Sequence, residues 1–233
     1  MTRDRGVPWL RWLAEFVLIV GSVYLAVYLE GASQRRADRG AARVALSQLL
    51  GELREDVLDF DRIIAKQDSL HTDHTNLQRW LADSSMYPAD SVAEALYQVS
   101  TENLTLFPRR ASWTTMVAGN QLADLEAPEL ILRLGQLYET FYDRIDYNSR
   151  FYDENLSSAL QSSSAIRWQS LRTRPLSDED DEIENLAASL EWIHLTWNVF
   201  YLDLLIEYRG DAIEVTSLVE EYLEAHGSPA AAP

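Results

Sequence analysis

The sequence predicts an all-α protein, in which an N-terminal transmembrane helix continues into a long stalk helix packed in an antiparallel helical bundle. One observation is an uninterrupted apolar run close to the N-terminus. Another is the return of apolar residues every three or four positions through most of the remaining chain. In addition, no stretch alternates apolar and polar residues with the period of a half-buried strand, and no internal repeat is visible.

The composition favours a folded body and excludes nucleic acid as an expected partner. The 233 residues are 47% hydrophobic, which is enough for one domain with a core and an anchor or tail. The net charge is −17, and Lys66 is the single lysine among 20 basic residues, so no basic stripe neutralises a run of phosphates. Cysteine is absent, which excludes disulfides, cysteine-bound zinc and thiol nucleophiles.

The apolar run at residues 16–29 predicts a transmembrane helix over residues 9–30, after a short flank at residues 1–8. As a helix the run alone rises about 21 Å, less than the roughly 30 Å hydrocarbon layer. Aromatic residues of the kind that gather at membrane interfaces extend the span: Trp9, Trp12, Tyr24 and Tyr28. Glu30 stands where signal peptidase needs a small residue, so we predict an uncleaved anchor.

Polar and small residues of the span suggest contacts within the membrane. Arg11 and Glu15 lie one turn apart and are expected to form an ion pair at the interface; alternatively, Glu15 meets a polar group of a partner subunit. Ser22 and Ala26, also one turn apart, would admit a neighbouring helix. Arginines are nearly balanced on the two sides, but the acidic body favours an extracytoplasmic location, periplasmic at a bacterial inner membrane.

The stalk and the following helices are predicted from periodicity and from helix-breaking residues. Residues 34–82 lack proline and carry an apolar stripe: Leu46, Leu49, Leu53, Val57, Phe60 and Ile64. Short helices are expected at residues 90–99, capped by Asp90, and at residues 110–118, which end at Gly119 and Asn120. Pro128 opens a long helix whose apolar face carries these residues: Leu130, Leu134, Leu137, Phe141, Ile145 and Tyr152.

The C-terminal third predicts two more helices. A loop at residues 172–175 precedes Ser177 and the acidic run at residues 178–182, which suits a helix N-terminus; a calcium loop there would lack spaced ligands and a central glycine. This helix is expected to end at Gly210, before a last helix with these apolar residues: Ile213, Val219 and Tyr222. The bundle therefore spans residues 31–226, and residues 227–233 form a disordered tail.

Enzyme motifs are absent, but two spacings resemble those of metal-binding bundles. No glycine-rich phosphate loop, G-x-S-x-G or H-E-x-x-H is present. Acidic residues stand three positions before histidines on two predicted helices, in the groups Asp68, His71 and His74, and Glu191 and His194. Inward carboxylates completing such a site would come from Glu139, Asp143 or Asp146. Buried histidines hydrogen-bonded to neighbouring acids explain the same spacings.

Tryptophans and an arginine doublet allow further alternatives. The tryptophans of the body either form core and partner interface or line a pigment or lipid groove: Trp80, Trp113, Trp168, Trp192 and Trp197. Arg109 and Arg110 are expected to pair with the acidic helix start at residues 178–182, phosphate binding being the alternative.

Two stretches resemble an uncharacterised bacterial family of small membrane proteins with one N-terminal span. They are EFVLIVG at residues 15–21, followed by a charged helix at residues 35–59, and FPRRASW at residues 107–113, followed by GNQL at residues 119–122. Where that family usually carries a Gln, Asp or Asn and Trp-Asn cluster after the span, this chain reads VYLEGAS at residues 27–33. The resemblance implies a helical extramembrane body and no established activity.

These features predict a non-enzymatic membrane-anchored accessory or scaffold subunit. Its expected partners are the lipid bilayer and the subunits of an integral membrane complex, energy-transducing complexes being one conceivable host; self-association stays open. No cofactor is expected. The alternatives are a bundle metalloprotein using Asp68, His71, His74, Glu191 and His194, or an extracytoplasmic ligand-sensing domain that signals through a partner.

Overall fold

The protein is all-helical, as predicted. A computed structural model describes residues 8–82, 99, 104–162, 191–192 and 194–227, and these form no strand. The α-helices are α1 (Pro8–Ala82), α2 (Ala111–Ala118), α3 (Pro128–Gln136), α4 (Tyr142–Ser162) and α5 (Leu202–His226). A π-helical turn at Leu137–Phe141 joins α3 to α4, a π-helical segment at His194–Tyr201 leads into α5, and a 3₁₀ turn lies at Gln121–Leu125.

Helix α1 runs without a break from the apolar run into the body, as predicted. Its first part is exposed, and burial begins at Ala42. The predicted stripe is confirmed: Leu46, Leu49, Leu53 and Phe60 are fully buried, while Val57 and Ile64 are partly buried. These side chains face α5 and the shorter elements, because a helix with one apolar face must cover it with other helices.

Helices α1 and α5 lie antiparallel and form the main pair of the body. Arg43 donates to the carbonyl of His226, at the end of α5, and Arg54 pairs with Glu220 at 2.7 Å. Farther along α1, Asp61 accepts from Arg209 at 2.6 Å. The partners therefore run backwards along α5 as they run forwards along α1, as the predicted antiparallel bundle requires.

The backbone between α2 and α3 contains two residues other than glycine in the left-handed conformation. Helix α2 ends at Gly119 and Asn120, as predicted, with Asn120 at φ 54°. Glu126 at φ 53° precedes Pro128, the first residue of α3. Asparagine tolerates this backbone region well, whereas for glutamate it is uncommon. The buried face of the long helix is also confirmed: Leu130, Leu134, Leu137, Ile145 and Tyr152 are buried and Phe141 is partly buried.

The π-helical turn Leu137–Phe141 shifts the register of this long helix. Tyr138 and Tyr142 are fully buried beside the residues that the periodicity predicted. The Tyr201 hydroxyl accepts from the Leu106 amide at 2.8 Å and lies 2.9 Å from the Ser149 hydroxyl, which contacts the Leu106 carbonyl at 2.7 Å. This buried group fixes the segment before α2 against α4 and the second π-helical segment.

The predicted helix end at Gly210 is wrong. Helix α5 continues through Gly210, and Tyr208, Ala212 and Val215 on both sides of it are buried. A glycine in a helix costs about 1 kcal/mol relative to alanine, which is small beside the burial of several apolar side chains. The flank at residues 1–7, the predicted helix start at Asp90, residues 163–190 and the tail after Gly227 lie outside the described residues.

Candidate functional site

The apolar segment (residues 16–29) projects from the body as a helix without tertiary cover. Side chains of its large residues are exposed, for example 71% for Leu18 and 74% for Tyr24. By length and composition, helix α1 is long and apolar enough to cross a membrane, with a mean hydropathy of 1.7 over an 18-residue window. The flanking Trp9, Trp12 and Tyr28 are exposed as well, and Ala26 lies on the same uncovered stretch.

Polar residues of the apolar segment are only partly accounted for. Ser22 donates its hydroxyl to the carbonyl of Ile19 at 2.8 Å, which satisfies it within its own helix. The side chain of Arg11 lies outside the described residues, so its pairing with Glu15 stays a prediction. The two tyrosines and two tryptophans keep the spacing of interfacial anchors.

The end of the body nearest the apolar segment is closed by polar contacts. Arg39 pairs with Glu126, and Arg43 reaches the carbonyl of His226. The Tyr222 hydroxyl donates to the Leu125 carbonyl at 2.6 Å. From Glu30 to Arg39 the helix rises about 14 Å, so the body begins a short distance beyond the apolar segment.

A partly buried ion pair, the Arg109 junction (Asp56, Asp59 and Arg109), fixes the segment before α2 to α1. Asp56 is fully buried and accepts from the Arg109 guanidinium at 2.8 Å and from its backbone amide at 3.2 Å. Asp59 accepts from the same guanidinium at 2.9 Å. Burial raises the pKa of Asp56 to about 6, and the bonds from Arg109 oppose this shift.

Side chains next to the Arg109 junction are partnered in part: Glu52 and Trp113 form hydrogen bonds, whereas the buried Tyr138 hydroxyl has no hydrogen-bond partner among the described residues. Glu52 accepts from the Ser112 amide at 3.1 Å and from its hydroxyl at 2.8 Å, at the start of α2. Trp113 donates to Glu139 at 2.6 Å and stacks on Tyr138 at 5.0 Å between ring centroids. Burial raises the pKa of the Tyr138 hydroxyl, and the charges of Asp56 and Glu52 act in the same direction.

Among the described residues, the arginine doublet pairs with acidic residues of α1 and α4, and its predicted pairing with residues 178–182 stays a prediction. Arg109 pairs with Asp56 and Asp59 of α1, and Arg110 pairs with Asp143 of α4. The acidic run at residues 178–182 lies outside the described residues. One signal pointed to this pairing: Asp56 lies three positions after Leu53 and four before Phe60, so it interrupts the apolar stripe of the stalk.

The histidine cluster (His71, His74 and His194) brings together residues predicted from the two acid-histidine spacings. The rings of His74 and His194 lie 4.5 Å apart at an interplanar angle of 10°, and those of His71 and His194 lie 5.1 Å apart. His74 is fully buried, and among the described residues neither of its ring nitrogens has a hydrogen-bond partner. Burial and the other two histidines lower the pKa of His74 to about 4.

The remaining predicted ligands do not complete a carboxylate-rich centre. Glu139 accepts from Trp113, Asp143 pairs with Arg110, and Asp146 pairs with Arg150. Glu191 is exposed. The pKa of His194 is lowered, mainly by burial, and the charge of Glu191 opposes this shift. The backbone carbonyl of Asp68 accepts from the Thr72 hydroxyl. Within the described ranges, no three His, Cys, Asp or Glu side chains already converge on a point suited to a metal ion.

The described tryptophans of the body belong to its core. Trp113 and Trp197 are buried, whereas Trp80 and Trp192 pack partly buried against the core. Trp197 packs beside Tyr152 and Tyr201, with ring centroids 5.0 and 5.5 Å away. Trp168 lies outside the described residues.

The fold and these sites define an all-helical protein built on one long N-terminal helix with an uncovered apolar segment. The chain belongs to a family of unknown function (DUF6090), whose model matches residues 15–191. Comparison with curated proteins and with solved structures finds no match. The matched residues include the apolar segment, the Arg109 junction, His71 and His74, but end before His194.

Proposed function

We propose that this protein is a single-pass membrane anchor with a non-enzymatic helical body that docks on a larger membrane protein complex as an accessory subunit. The observation that carries the proposal is the uncovered apolar segment at residues 16–29. A row of exposed Leu, Ile, Val and Phe side chains on an isolated helix needs a nonaqueous surrounding, because leaving each side chain in water costs about 1.5–3 kcal/mol. A bilayer supplies that surrounding.

The distance between the apolar segment and the body supports the same arrangement. The helix rises about 14 Å from Glu30 to Arg39, which exceeds the roughly 5–8 Å headgroup region of one leaflet by only one or two helical turns. The body would therefore stand close to the membrane surface. The arginines that flank the segment are nearly balanced, so we place the body on the extracytoplasmic, periplasmic side of a bacterial inner membrane by analogy with signal anchors whose short N-terminus stays inside.

An exposed apolar stripe supports docking on another protein. The α5 stripe consists of Ile206 and Ile213, seven residues apart on one face of α5, and of Leu195 and Val199 in the π-helical segment that leads into α5. These four side chains are between 37% and 52% exposed. A helix face of this pattern is a common element of helix-in-groove recognition.

The anchor is tested by alkaline carbonate extraction of membranes that contain the full-length chain. We expect the chain to stay in the membrane pellet, and a variant with Leu18→Arg and Leu25→Arg to be released, because an arginine in the centre of a span costs about 2.5–3.5 kcal/mol. A matched control places arginine at exposed Leu58 and Leu132 of the body, where no loss of the anchor is expected. Release of the unchanged chain would contradict the anchor.

The docking is tested by gentle detergent extraction from native membranes, native-size separation and mass spectrometry of co-migrating chains. We expect a stoichiometric large complex that is lost on Ile206→Glu with Ile213→Glu and kept in the control Leu132→Glu. Migration of the unchanged chain alone, or as a small homo-oligomer, would contradict the accessory role. Loss of the complex in the Leu132→Glu control would contradict the assignment of the α5 stripe.

A further inference from the structure

The histidine cluster contains a buried imidazole that the fold leaves unsatisfied. Both ring nitrogens of His74 are shielded from solvent and have no hydrogen-bond partner among the described residues. A buried polar group without a partner costs about 1–3 kcal/mol, and an unoccupied ion or water position is a common reason for one. The unsatisfied ring faces a second imidazole from another helix at 4.5 Å.

We propose that His71, His74 and His194 bind one Zn²⁺ ion, which ties the last turns of α1 to the π-helical segment His194–Tyr201. Neutral imidazole is a preferred ligand of zinc, and sites with three histidines and an open fourth position are well known for this ion. His71 and His74 lie three positions apart on one face of α1. His194 supplies the third imidazole from the facing element.

The separations of the rings match a shared ion. With Zn–N bonds of about 2.0–2.1 Å and tetrahedral angles, two imidazoles on one zinc ion have ring centroids about 5 Å apart. The two measured separations are 4.5 and 5.1 Å.

Binding requires a ring to turn, because nearly parallel rings do not aim their nitrogens at one point. The torsion that turns an imidazole about its Cβ–Cγ bond has a broad, shallow profile, so the partly exposed ring of His194 can turn toward the buried ring of His74. Glu191, one turn before His194, is exposed and within electrostatic range of it, which suits a fourth ligand or a hydrogen-bond acceptor. The π-helical geometry at His194 is itself a frequent companion of functional sites.

The experiment uses full-length protein in detergent, stripped of metal with a chelator and dialysed. Zn²⁺ is titrated by calorimetry, and Co²⁺ is titrated as a spectroscopic probe whose visible absorption reports tetrahedral coordination by nitrogen. We expect one ion per chain, a higher Tm with zinc, and binding that is weaker by about tenfold or more in His194→Ala and His71→Ala. His71 is exposed, so its variant remains informative if His74→Ala fails to fold.

The chain offers a matched control in its fourth histidine. His226 lies at the opposite end of the body, stacked on Tyr222, so His226→Ala is expected to bind zinc as the unchanged protein does. Absence of binding in the unchanged protein would overturn the proposal. So would unchanged affinity in His194→Ala, or an equal loss in His226→Ala. None of these outcomes bears on the membrane anchor or on docking, so the two proposals fail independently.

Discussion

The Arg109 junction and the histidine cluster differ in whether their buried titratable side chain has hydrogen-bond partners. Each buries a titratable side chain of α1 and joins that helix to a later part of the chain. Asp56 receives bonds from the guanidinium and the amide of Arg109, whereas the ring nitrogens of His74 have no partner among the described residues. Burial favours the neutral form of both side chains. It raises the pKa of Asp56 to about 6 and lowers the pKa of His74 to about 4.

This difference distinguishes the Arg109 junction, which has a structural role, from the histidine cluster, which can accept a ligand. At the Arg109 junction the guanidinium and the amide of Arg109 already donate to the carboxylates of Asp56 and Asp59, so this ion pair needs no further ligand. At the histidine cluster the protein has brought three imidazoles together without supplying what would satisfy His74. Other buried side chains of the described residues, such as Gln67 and Trp197, lack a partner at one polar atom, whereas His74 lacks one at both ring nitrogens.

The largest expected effect concerns pH and Asp56. With a folded pKa of about 6 and an unfolded value of 3.8, the folded chain holds the Asp56 proton between about pH 4 and 6 while the unfolded chain has lost it. The contribution of Asp56 to the free energy of unfolding therefore falls by up to about 3 kcal/mol as pH rises through this window. Denaturant unfolding of the unchanged protein and of Asp56→Asn across the window measures the difference.

The control for this experiment is Asp59→Asn, because Asp59 accepts from the same guanidinium but is partly exposed. We expect the fall in the free energy of unfolding between about pH 4 and 6 to disappear in Asp56→Asn and to remain in Asp59→Asn. Equal pH profiles for the unchanged protein and Asp56→Asn would mean that the Arg109 bonds outweigh burial and that Asp56 stays ionised.

The next effect comes from breaking the Arg109 junction. Arg109→Ala leaves Asp56 buried without its counter-ion, and such a loss usually costs 3–5 kcal/mol; we expect about 2 kcal/mol, because the guanidinium is 40% exposed and the backbone amide still donates. Unfolding at neutral pH measures the loss. Arg110→Ala should cost less than about 1 kcal/mol, since its partner Asp143 is 55% exposed. A larger loss for Arg110→Ala would reverse the ranking of the two arginines.

At the histidine cluster, removing the buried titratable side chain is expected to raise the free energy of unfolding rather than to lower it. In metal-free buffer, His74→Leu replaces an unsatisfied imidazole with an apolar side chain of similar size and should raise the free energy of unfolding by about 1 kcal/mol. Asp56→Leu should lower it, because the amide of Arg109 then loses its acceptor. A clear loss of stability in His74→Leu would show that His74 has a structural partner.

The smallest expected effect is at Gly210. A β-carbon built at this position meets no atom within 4 Å, so Gly210→Ala should stabilise α5 by about 0.5–1 kcal/mol. Gly119 is the contrasting position, because a β-carbon there lies 3.1 Å from the Thr115 carbonyl oxygen. A gain in Tm for Gly119→Ala but not for Gly210→Ala would contradict the helical backbone described around Gly210.

Much of the fold follows from local patterns in the sequence. The stripe from Leu46 to Phe60, the end of α2 at Asn120 and the start of α3 at Pro128 all agree with the structure. Each depends on residues within a few positions of one another, through helical periodicity or backbone preference. The failure at Gly210 has the same origin, because a local cost was overridden by burial against α1 that local sequence does not reveal.

By itself the sequence determined that the chain is helical, that an apolar segment lies near its N-terminus, and which histidines stand one turn from an acidic residue. Only the tertiary structure decided that Arg109 meets Asp56, 53 positions earlier, and that His194 reaches His71 and His74 from a separate element. It also decided that Glu139 and Asp143 face other partners. Periodicity fixes which face of a helix is buried, but the partner of a buried charge depends on how helices are placed against one another, and that placement is a property of the whole core.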